Sequence, residues 1–208
     1  MGLSISWIAA KGVGRDAMLK ALGLAEIGPP ITDHPVAPQA KFAAFELSGW
    51  TFVISSDNRL ASRERVSAVS QAGLAVGVYL EEHVMVSGAF GASDGRLVWS
   101  IQHDPEFGLN HLDVWGEPPP ALAEIQAKLR HELETKDDAD YLFDAPMEVA
   151  ATVCGFDPNE FNGEVDMFEL KVVQRDLMKL RDQPLASTPE PRDALRKPGL
   201  LARLFGGR

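Results

Sequence analysis

Apolar and polar positions change period several times along the chain, and each change marks an element. Ser4 to Ala10 is mostly apolar and reads as a strand, and Ala17, Met18 and Leu22 recur at helical spacing between Arg15 and Leu24. A strand followed by a helix therefore opens the chain. Glu26 to Pro38 holds Pro29, Pro30, Pro35 and Pro38, residues that neither continue a helix nor sit in a central strand, and this predicts an irregular connector. Phe42 to Leu47 and Trp50 to Ser55 are apolar and flank Ser48-Gly49, a two-residue hairpin signal. After them comes a short helix, with Ser62 as its cap, Arg63, Glu64 and Arg65 as its wet face, Val66 and Val69 as its core face, and Gly73 past its end.

The densest strand-like pattern runs from Leu74 to Trp115. Leu74 to Glu81, Val84 to Phe90, Leu97 to His103 and Leu109 to Trp115 are separated by turn residues, among them Ser93-Asp94-Gly95 and Asp104-Pro105-Glu106-Phe107-Gly108. That is a meander of about four strands, expected to have one covered face. Pro118, Pro119 and Pro120 end it and start a helix to about Thr135, with Leu122, Ile125, Leu129 and Leu133 along one side. Lys136 to Asp140 is a charged loop, and Asp144-Ala145-Pro146 opens a further helix that Gly155 closes. Met167 to Val173 alternates like a last strand, although Phe168 to Leu180 reads equally as helix. These elements predict an α+β fold: a single domain over residues 1–183, with a mainly antiparallel sheet of about five to seven strands, a central meander and a cover of helices. Residues 184–208 are poor in large apolar residues up to Pro198 and read as a mobile linker. It leads to a short amphipathic tail whose Leu200, Leu201, Leu204 and Phe205 form a candidate partner-binding face.

Composition narrows the setting. A chain of 208 residues buries roughly 70% of its unfolded surface, so no staple is needed for a core. Cys154 is the lone cysteine, which excludes an internal disulfide and a cysteine-based zinc cage. No signal-peptide pattern and no transmembrane-length apolar run occur, so a cytoplasmic protein is expected. The formal net charge is -10. From Leu185 onward Arg192, Arg196, Lys197, Arg203 and Arg208 stand against Glu190 and Asp193, a balance of +3, which leaves -13 on residues 1–184. Such a body repels phosphate backbones and attracts basic proteins, so a basic protein partner is expected and nucleic acid is not.

Several motifs carry chemistry in other folds. Gly12-Val13-Gly14-Arg15-Asp16-Ala17 matches a dinucleotide-binding turn, but the acidic strand end that should follow falls in the proline connector near Asp33. Gly91-Ala92-Ser93-Asp94-Gly95 matches a nucleophile elbow, yet strand-like sequence follows it where a helix is required. The best constellation is His83, His103 and His111 with Glu81, Glu82, Asp104 and Asp113. If Ser93 pairs with Arg96 and the register continues, His103 lies across from Val86 and on one face with Glu82; the next turn brings His111 to that face. Glu82, His103 and His111 would then suit a divalent metal or acid-base work, and a one-residue slip would scatter them. Cys154 reads as a buried thiol, and Trp7, Trp50, Trp99 and Trp115 read as core.

Glu81-Glu82-His83-Val84-Met85, Asp94-Gly95-Arg96 with Trp99, His103-Asp104, and Gly116-Glu117-Pro118-Pro119 together resemble a group of uncharacterised proteobacterial proteins. The resemblance extends over about residues 42–156 and implies a standalone bacterial domain, with no activity attached. The reading that results is a non-enzymatic, acidic protein-binding domain without a cofactor, of immunity, inhibitor or chaperone type. The alternative is a small enzyme or metal-binding protein built on the histidine and acid cluster.

Overall fold

A computed structural model describes residues 4–36, 38–136 and 139–173. The apolar opening segment becomes β1 (Ser4–Lys11), which sits in the middle of the sheet. Then follow α1 (Arg15–Leu22), β2 (Leu24–Glu26), β3 (Ile31–Asp33), β4 (Phe42–Leu47), β5 (Trp50–Ser55), α2 (Arg63–Val69) and β6 (Leu74–Glu81). The second half holds β7 (Val86–Ser93), β8 (Arg96–His103), β9 (Asp113–Gly116), α3 (Leu122–Thr135), α4 (Ala145–Cys154) and β10 (Val165–Val172). The order across the sheet is β2-β10-β4-β5-β1-β6-β7-β8-β9, with β3 also on β10, and each of these pairings is antiparallel.

The architecture is the expected single α+β domain, but among the described residues its sheet has ten strands rather than five to seven. Two of the additional strands come from the end of the predicted first helix and from the proline connector. Leu24–Glu26 and Ile31–Asp33 both pair with β10, while Gly28, Pro29 and Pro30 form the bend between them, so the prolines cost the ladder no donor. The first helix also stops earlier than predicted, because Gly23 adopts a left-handed φ of 66° and donates back to Leu19 and Lys20.

Both faces of the sheet are covered, where the sequence suggested one. Ile5, Trp7 and Ala9 of β1 point with Phe52, Ile54, Val76 and Val78 toward α3 and α4. Their neighbours Ile8 and Ala10 point with Val53 and Ala75 toward α1 and α2. Phe45 stacks on Phe52 at 4.8 Å and Phe156 meets Trp7 edge-on at 5.5 Å, so the first layer is fixed by aromatic packing. On the other face α2 lies so close to β6 that a Cβ at Gly77 would strike Val66. Ser62 caps α2 by accepting from the Arg65 N–H at 3.4 Å.

The turn at Asp94-Gly95 has positive φ at both residues, 51° and 75°, the geometry that hairpins favour. It pairs Ser93 with Arg96 and Ala92 with Leu97, but Gly91 then pairs with Trp99. Val98 is thus the extra residue of a β-bulge. The bulge corrects the predicted register: His103 faces Ser87, not Val86, and with Leu80 it belongs to the face covered by α3 and α4. Among the described residues no helix is long and apolar enough to cross a membrane. The candidate tail residues Leu200, Leu201, Leu204 and Phe205 lie outside the described residues.

Candidate functional site

Antiparallel order brings three connections to one end of the sheet: the β6–β7 turn, the β8–β9 loop and the segment between α3 and α4. The β8–β9 loop builds itself from local rules. Asp104 accepts from the Glu106 N–H at 2.9 Å, Pro105 starts a single helical turn, and Gly108 leaves it at φ 106°. The Asp104 N–H donates to His111 Nδ1 at 3.1 Å, closing the loop on itself.

His103 locks this loop to the rest. Its side chain is fully buried; Nδ1–H donates to the His111 carbonyl at 2.7 Å, and Nε2 lies 2.9 Å from Asp140 Oδ2. A carbonyl only accepts, so Nδ1 carries a proton, and the imidazole and the Asp140 carboxyl hold another between them. Asp140 is 7% exposed, and its second oxygen is buried without a hydrogen-bond partner. Nearby, the Ser87 hydroxyl donates to the Phe143 carbonyl at 2.7 Å. Two buried ties therefore pin the α3–α4 segment to β7 and β8.

Of the predicted metal set, the structure brings His103 and His111 together, with ring centroids 6.2 Å apart, and leaves Glu82 in the exposed β6–β7 turn. Both nitrogens of His103 are already engaged, and no three His, Cys, Asp or Glu side chains among the described residues are placed to hold a metal. His83 is exposed and meets Glu81 at 2.6 Å. Partial burial acts to raise the Glu81 carboxyl, but hydrogen bonds from His83 and Ser4 outweigh it and hold the group below its usual range.

The same end of the molecule gathers negative charge. Asp144, at the start of α4, is pushed up to about 6, first by burial and then by Glu148, Asp157, Glu82 and Asp140. Lys128 of α3 reaches Glu148 at 3.3 Å. Beside that pair a cleft of about 530 Å³ opens between the two helices, lined by Ile125, Lys128, Glu148, Asp157, Glu160 and Phe161. Asp140, Asp144 and these cleft acids escaped the sequence reading. Asp140 is 37 residues from His103, and no local spacing announces their contact.

Exposed apolar side chains stand in the β6–β7 turn and the β8–β9 loop. Phe107 is 74% exposed and Val84 55%, and Leu109 is exposed as well. Phe107 leans on His111 at 5.1 Å.

The remaining motifs resolve structurally. Gly12 to Gly14 does link a strand to a helix, but the next strand, β2, pairs antiparallel with β10, and among the described residues no parallel nucleotide-binding unit forms. Ser93 ends β7 in a hairpin, and its hydroxyl donates to Asp94 at 3.3 Å. Cys154 is buried, and burial pushes its thiol up to about 11. Trp7, Trp50 and Trp99 are core residues, whereas Trp115 on the last strand is only half-buried. No family model, no curated protein and no solved structure matches the chain.

Proposed function

We propose that the protein is a non-enzymatic, cytoplasmic acidic domain that binds a basic protein, acting as an immunity, inhibitor or chaperone-like partner. The observation that carries this reading is the charge surplus around Asp144, whose carboxyl is raised to about 6 by burial and four further carboxylates. A protein that keeps such a surplus at one end gains by bringing a partner's cations to it. The net charge of -10 steers basic proteins to the whole body and keeps nucleic acids away.

The test is recovery of partners by the immobilised full chain at low and high salt. Basic proteins are expected at low salt and should be lost as salt screens the charges. A Glu148→Lys, Asp157→Lys double variant should recover less. Recovery of no partner, or of partners indifferent to salt, would count against the reading.

A further inference from the structure

We propose that the outer edge of β9, together with Phe107 and Leu109 in the loop leading into it, receives an extended segment of the basic partner by strand addition. The segment alternates apolar residues with Lys or Arg. This inference rests on the basic-partner reading and gives it a surface and a mode.

Three independent features meet at this edge. The first is an unfilled ladder: β9 ends the strand order, and among the described residues it pairs only with β8. Alternate residues of such a strand direct N–H and C=O groups outward, where another chain can complete them. The second is apolar surface. Of the nine exposed large hydrophobic residues among the described ones, four belong to this corner: Val98, Phe107, Leu109 and Val114. Val98 is there because the bulge displaces it, and its carbonyl accepts from the Glu117 N–H at 3.2 Å, next to the end of β9.

The third feature is charge. Between Arg96 and Lys128 the sequence has no Lys or Arg, while Asp104, Glu106, Asp113 and Glu117 bracket the strand; Arg63 of α2 reaches β8, where it donates to Ser100 and Gln102, and leaves the acids more numerous than the cations at this corner. The opposite edge differs, because Glu26 of β2 is matched by Arg15 at 2.8 Å. A second copy of this chain would set two acidic edges side by side, and like charges across a ladder are unfavourable. A strand bearing Lys or Arg meets no such cost. The surface is also preformed, since His103 and Asp104 hold the loop in place before any partner arrives. Its four residues, closed by Gly116 and the prolines from Pro118, limit the added strand to a short stretch.

The probe is a synthetic peptide of alternating Val with Lys and Arg, titrated into the full chain by calorimetry. Two further peptides carry N-methyl groups on alternate residues, one in each phase, which preserves charge and side chains but removes one set of ladder donors. The expected result is binding of the parent, at least tenfold weaker binding in one N-methyl phase, and slowed hydrogen exchange at the amides of residues 113–116. Phe107→Ser and Asp113→Asn should each weaken binding, and the remote Glu64→Gln should not. Equal binding of both N-methyl peptides, equal loss in Glu64→Gln, no peptide binding, or a concentration-dependent dimer of the free chain would overturn strand addition. The broader reading is judged separately by salt-dependent recovery of basic partners, which does not depend on this edge.

Discussion

At the scale of single residues, Asp144 is the group whose ionisation bears most on stability. Its carboxyl moves from the ordinary 3.8 to about 6 on folding, chiefly through burial. Between those values the folded protein binds more protons than the unfolded chain, so stability must fall as pH rises through this window and stay reduced above it. Asp144→Asn removes the charge and keeps the shape. The variant is expected to exceed the parent by about 1 to 2 kcal/mol at pH 7, once solvent screening of this partly exposed group is allowed for. The gain should vanish near pH 4, and urea unfolding at the two pH values checks it. The sequence shows Asp140 and Glu148 four residues to either side of Asp144, but neither its burial nor the approach of Asp157 and Glu82 from the loop after α4 and the β6–β7 turn. Trp99 was legible at this scale. A large aromatic between turn residues on an alternating strand is core by default, and it is buried over Gly91, where a Cβ would strike the indole ring.

At the scale of elements, local chemistry was readable and long-range partnership was not. Ser48-Gly49 and Asp94-Gly95 announce their hairpins because few residues accept positive φ, and the Ser62 cap announces α2. The bulge at Val98 has no such marker, since its valine resembles every other strand residue, and one unseen insertion moved His103 from Val86 to Ser87. That shift turned an expected metal ligand into the pin between the β8–β9 loop and the α3–α4 segment. His103→Ala should cost about 3 to 5 kcal/mol, because it strands the buried Asp140 carboxylate. Hydrogen exchange should accelerate first at residues 104–112, while β1 and β6 keep their protection. Uniform acceleration across the sheet would assign His103 to global packing instead.

At the scale of the whole molecule, two hydrophobic layers close on a sheet covered from both sides, and among the described residues the members of both clusters run from Ile5 to Val172. Removal of residues 185–208 is therefore expected to leave the melting temperature within about 2 °C of the parent, as calorimetry can show. A large drop would place the domain boundary too early. The class of fold was legible because every strand carries its own pattern. The order of the strands was not, since the last of them enters between β4 and β2, joining segments more than 120 residues apart in sequence.

That late insertion governs how the chain comes into being. Until β10 is synthesised, β4 has one open edge and β2 and β3 have no sheet to join, so a growing chain carries a half-built sheet with its Phe42 to Leu47 border unsatisfied. Pairings this distant in sequence close slowly and leave sticky borders exposed while they wait. The emerging polypeptide is thus most vulnerable to misassociation just before its final strand appears. A helper that shields strand borders would act on it during that interval.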